Sequence, residues 1–236
     1  MDLRNALDRV APYPDGVIPV PEPIKGNAFF PGGNGLWQGQ QNELEPNTPT
    51  DGIMVLGHDF HSEEGYTRSL RNGSERLTDP TWRNILALFK ATNIEPARCF
   101  FTNFYMGLRA KGQGATGKFP GRNDAAFVSR CNGFFLDQLS YQQPKVILVL
   151  GTQVPPLLAG LSDQLHPWVT AKSMSDIDAD NGAVQRNITF SNDSVKRSVA
   201  VLTHPSQRGL NVHRRRYKGL SGHEAELMIL EDCQGV

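Results

Sequence analysis

Short apolar runs punctuate the chain: GIMVLG (52–57), CFFTN (99–103), KVILVLG (145–151) and SVAVLT (198–203). Unbroken runs of this length, bounded by glycine or polar residues, mark strands buried on both faces of a sheet. Helical periodicity lies between them. Asp79 offers an N-cap with Pro80 at the first helical position, and Trp82, Ile85, Leu86 and Phe89 recur on one helical face. A second helix is predicted over 124–142, turning Phe127, Cys131, Phe134, Phe135 and Leu139 to the core, a terminal one over 222–233, and a short one over 3–10. The remaining stretches lack such patterns. The first 51 residues, rich in Pro, Gly and Asn, read as an irregular wrap; 58–78 as a long polar loop; 171–193 as a hairpin or loop inserted before the last strand.

Strands alternating with helices imply an α/β fold: a single three-layer α/β/α domain with a mostly parallel central sheet. In such sheets ligands bind beyond the carboxyl ends of the strands. Three predicted strands run straight into polar segments there: Gly57-His58-Asp59, Asn103-Phe104-Tyr105 and His204-Pro205-Ser206.

Composition narrows the choice of class. A chain of 236 residues, 39% hydrophobic, can bury one sizeable core. No apolar run approaches membrane-spanning length, and the first residues lack a secretory layout, so a cytoplasmic monomer with no membrane partner is expected. Three cysteines, Cys99, Cys131 and Cys233, are too few and too widely spaced for a disulfide framework or metal set, and no cofactor is implied. Cations and anions balance at 24 each, but unevenly along the chain. Residues 105–123 hold Arg109, Lys111, Lys118 and Arg122, and 203–220 hold Arg208, Arg214, Arg215, Arg216 and Lys218, with no anion in either segment. These are solvated loops, or a nucleic-acid surface if both lie on one face.

The motifs VLGHDFH (55–61), TNFYMGLR (102–109), VILVLG (146–151) and LTHPSQRG (202–209), in that order, resemble the serial motifs of the uracil-DNA glycosylase superfamily. The resemblance spans roughly 52–217. It implies a monofunctional DNA glycosylase that flips a base out of DNA and hydrolyses its N-glycosidic bond. On that resemblance Asp59 is the catalytic carboxylate beside the sugar, and His204 the donor to the departing base. Asn103 would read the edge of the flipped pyrimidine, the backbone amides of His58 and Asp59 would add donors to the base pocket, and Gly57 would line it. Ser206, Arg208, Arg214, Arg215, Arg216, Arg109 and Lys111 would hold phosphates, and Leu210 would wedge into the gap left by the extruded nucleotide. Taken singly, Asp59 also fits a turn cap, His204 a structural histidine, Asn103 a strand-end amide and Leu210 a loop anchor.

The sequence departs from the family where the base is selected. Phe60 and His61 stand where the family has Pro-Tyr, and the position of its stacking Phe falls near Arg68, with Tyr66 close by. The expected substrate is therefore a C5-modified pyrimidine, such as hydroxymethylated or glucosylated cytosine in viral DNA, or plain uracil. A catalytically weak DNA-binding or damage-sensing module and a nucleoside hydrolase are the competing classes.

Overall fold

The computed structural model describes residues 3–20, 24, 29, 51–191 and 193–235. In chain order the elements are α1 (Leu3–Asp8), β1 (Val17–Ile18), β2 (Ile53–Gly57), α2 (Glu63–Asn72), α3 (Pro80–Ala91), β3 (Cys99–Asn103), β4 (Leu108–Arg109) and α4 (Ala125–Gln142). They continue with β5 (Val146–Leu150), α5 (Pro155–Ala159), α6 (Met174–Asp178), β6 (Val184–Ile188), β7 (Arg197–Leu202), α7 (Arg208–Asn211), β8 (Arg216–Tyr217), β9 (Leu220–Ser221) and α8 (Gly222–Gln234).

The central sheet has five strands in the order β3-β2-β5-β7-β6. The first four run parallel, and β6 closes the edge antiparallel to β7. Helices flank it in a three-layer α/β/α domain. Every residue of β2, β3, β5 and β7 is buried, as their unbroken apolar runs require. Trp82, Ile85, Leu88 and Phe89 form the buried face of α3, whose N-cap Asp79 precedes Pro80 at the first turn. Phe127, Cys131, Phe134, Phe135 and Leu139 do the same for α4, and Asp124 caps it by accepting from the Phe127 amide. All three cysteines are free and buried.

Two segments differ from expectation. The polar stretch 58–78 holds a ten-residue helix, α2. Ser62 caps it by accepting from the Gly65 amide, Glu63 and Glu64 complement its N-terminus, and Gly73 at φ 71° ends it in the left-handed region. Its apolar stripe is too thin to show as periodicity, since Tyr66 alone is buried. The segment 171–193 contains α6 and β6, so it extends the central sheet as its edge strand. Most of the expected N-terminal wrap lies outside the described residues; within them, β1 pairs antiparallel with β4.

Candidate active site

Parallel pairing brings the strand ends together. Gly57 at the end of β2 stands in register with Asn103 at the end of β3, and Leu150 of β5 with Leu202 of β7. The polar residues that follow these ends open onto one cleft of about 1090 Å³, shared by Asp59, Asn103, His204, Trp82 and Arg214. Two glycines permit the close approach. A Cβ on Gly57 would stand 2.2 Å from Asn103 Oδ1, and one on Gly151, at φ +84°, would meet His204 Cβ at 3.2 Å.

Asp59 sits at the junction of β2 and the turn before α2. Its Oδ1 accepts from the His61 amide at 3.0 Å and from Arg109 Nε at 3.1 Å. Its Oδ2 lies 2.7 Å from His58 Nδ1 and accepts from Arg109 Nη2 at 2.8 Å. Burial pushes its carboxyl up, but the hydrogen bonds and charges of His58 and Arg109 outweigh burial and hold it well below the usual carboxylate range. The group is thus a fixed anion.

Arg109 departs from the reading of a cation exposed for phosphate. It is 2% exposed. Beyond its two bonds to Asp59, its Nη1 donates to the carbonyls of Gly114, Thr116 and Lys118 and its Nη2 to that of Gly117. The loop after β4 is therefore folded around a guanidinium that arrives from β4 itself, and no N–H is left for DNA. Lys111 is exposed, and its backbone amide donates to Glu63. Lys118 and Arg122 are exposed too.

His204 follows β7 in a turn held by Asn84, whose amide donates to the Pro205 carbonyl at 2.7 Å. Its Nδ1 lies 2.9 Å from Ser206 Oγ. Burial and the nearby His58 push its imidazole below the ordinary histidine value, Asp59 offsetting only part, so the neutral ring prevails. On the far side, Asn103 donates its amide to the Phe29 carbonyl at 3.0 Å.

The cleft has an aromatic wall that the sequence did not single out as such. Phe29 and Trp82 line it, backed by the buried Phe101, in a tilted and edge-on cluster with ring centroids 4.9 to 5.2 Å apart. Trp82 Nε1 donates to Glu75 at 2.6 Å. Burial pushes the Glu75 carboxyl up to about 7, against the Trp82 and Phe29 N–H bonds that favour its anion, with Asp79 adding to the rise. Trp82 was legible only as a residue of a core-facing helix, and Glu75 carried no motif.

Of the base-selecting candidates, Phe60, His61 and Arg68 all line the cleft. Phe60 is half-buried, and Arg68 is exposed. His61 adopts φ 81° with its ring against Gly65, where a Cβ would come within 2.4 Å of Nδ1. Burial first, with Arg68 and Arg109, lowers its imidazole, while Asp59 and Glu64 pull the other way. Tyr66 borders the cleft but is buried at 4% exposure in a small cluster with Ile24 and Leu108.

The second basic run is divided by the fold. Ser206 and Arg214 are exposed at the cleft rim. Leu210, on α7, is 70% exposed, so it anchors nothing in the core. Arg208 Nε pairs with Glu226 at 2.7 Å, which ties it to α8. Arg215, expected at phosphates, is instead fully buried: it bonds Asp178 at 3.0 and 2.8 Å and the Val201 carbonyl at 2.9 Å. Arg216 is exposed, with Nη1 donating to the His213 and Arg215 carbonyls. Glu226, which has zero exposure, also accepts from the Thr203 amide at 2.7 Å, directly before His204.

Among the described residues no helix is long and apolar enough to cross a membrane. A scan against protein-family models finds no match, and no curated protein matches the chain in sequence.

Proposed function

We propose that the chain is a monofunctional DNA glycosylase that hydrolyses the N-glycosidic bond of a flipped base and leaves an abasic site. One observation carries the reading: Asp59, Asn103 and His204, from three strand ends, share one cleft, and the exposed Leu210 follows His204 on the adjoining helix. A glycosylase needs a negative charge beside the cation-like sugar, and Asp59 is a fixed anion. It also needs a donor beside the departing base. A neutral His204 accepting the Ser206 hydroxyl at Nδ1 carries its hydrogen on Nε2, ready for a base carbonyl.

The substrate is a C5-modified pyrimidine or uracil. The cleft volume of about 1090 Å³ lies just above the range of ordinary small-ligand sites, which leaves space for a substituent beside the ring. Leu210 favours DNA over a free nucleoside, since hydrolysis of a nucleoside has no use for an apolar side chain held in water.

The test is to incubate the protein with DNAs carrying uracil, thymine mispairs and 5-substituted cytosines and to assay abasic sites and released base. Release is expected from at least one DNA and from no free nucleoside. Leu210→Ala should slow release from duplex by roughly tenfold or more, equivalent to losing a kcal/mol or two of wedge contact, while leaving single strands nearly unaffected. Binding of every DNA without release of any base would sink this reading in favour of a binding module.

A further inference from the structure

A carboxylate offers about four lone-pair sites. On Asp59 all are spoken for, by the His61 amide, Arg109 Nε, Arg109 Nη2 and His58 Nδ1. A water approaching the sugar would find no acceptor there. His58 differs. Because Asp59 is anionic it can only accept, so Nδ1 of His58 carries the hydrogen between them, and in the neutral form of the ring the lone pair resides on Nε2. Nε2 bonds to no described residue, and His58 borders the cleft. The ring is held edge-on to Tyr105, with centroids 5.1 Å apart at 90°, and to Phe119 at 6.4 Å and 87°.

We propose that His58, oriented by Asp59 and Arg109, is the base that takes a proton from the attacking water. The inference rests on the glycosylase reading above. One O–H bond of water breaks and its proton passes to Nε2. The oxygen bonds to C1′ of the sugar, and the C1′–N bond breaks with its electron pair leaving on the base. Asp59 is then a positioning residue, fixing the tautomer and ring plane as the carboxylate does in an Asp-His pair.

Single-turnover rates are to be measured for the wild type, His58→Gln, His58→Ala and Asp59→Asn on whichever DNA the wild type cleaves, with DNA affinity measured in parallel. His58→Gln should lower the rate about 10²- to 10⁴-fold, the usual contribution of a positioned base, with affinity within about twofold. Imidazole added to His58→Ala should restore part of the rate. That rescue also certifies the variant as folded, and a merely structural histidine would not show it. Asp59→Asn should slow the reaction without any imidazole response. If both His58 variants keep rates within about threefold of wild type, the inference is overturned while the glycosylase reading stands. Loss in both variants with no imidazole rescue overturns it equally. A wild type that releases no base from any DNA brings down the glycosylase reading itself.

Discussion

The Asp59–Arg109 pair can be tested by itself through stability. The side chains are 9% and 3% exposed, joined by two charge-assisted bonds, and Arg109 additionally ties down four loop carbonyls. Removing one partner of such a pair leaves the other charge buried, which costs about 3–5 kcal/mol. Asp59→Asn and Arg109→Gln should each show a loss of that order in urea unfolding at neutral pH. The double variant buries neither charge, so it should cost about as much as one single variant. That corresponds to a coupling on the order of 3 kcal/mol, against under about 1 kcal/mol for an exposed pair. The pH dependence has a definite sign. With its folded-state value depressed, Asp59 contributes stability that is present above the ordinary carboxylate range and is lost only as pH falls through the lower folded value. Arg109→Gln raises that folded value, so acid unfolding should begin at higher pH than in the wild type. Additive single losses, to within about 0.5 kcal/mol, would refute the account.

Glu75 shows the opposite sign. Its folded-state value is raised to about 7, so the stability it contributes is complete below the unfolded carboxyl value and is lost as pH rises through the folded one. Unfolding free energies should reveal a decline on the order of 3 kcal/mol between roughly pH 4 and 7 that is absent in Glu75→Gln; equal slopes for both proteins would contradict it. The two neighbouring arginines should separate cleanly. Arg215→Ala is expected to cost about 3–5 kcal/mol in stability by stranding Asp178. Arg214→Ala should change stability by no more than about 0.5 kcal/mol but reduce the slope of log affinity for DNA against log salt by about 0.9. An unchanged salt slope would remove Arg214 from the proposed DNA surface.

The four parallel strands and α3, α4 and α8 were legible because each buries a continuous face, and burial of that kind writes itself into short-range periodicity. Helix α2 buries too little to do so. Its signals were instead terminal: Ser62 before two glutamates, and Gly73 at the stop. The site was legible where residues follow strand ends, as Asp59, Asn103 and His204 do. It was not legible where partners are distant in sequence. Arg109 meets Asp59 across 50 positions and Arg215 meets Asp178 across 37, and a cation in a basic run carries no local mark of the carboxylate that will bury it. Glu75 escaped notice for a related reason, since its environment is made by Trp82 on α3 and by Phe29 from the N-terminal region.

Glu226 gives the last helix a reach beyond its own packing. Its carboxylate accepts the Thr203 amide and pairs with Arg208, gripping the turn that carries His204 from both sides. An amide sealed in this way exchanges its hydrogen with solvent only when the structure around it opens. Through Glu226, α8 therefore braces the turn that holds His204 over the cleft, and exchange at the Thr203 amide reports how often that brace opens.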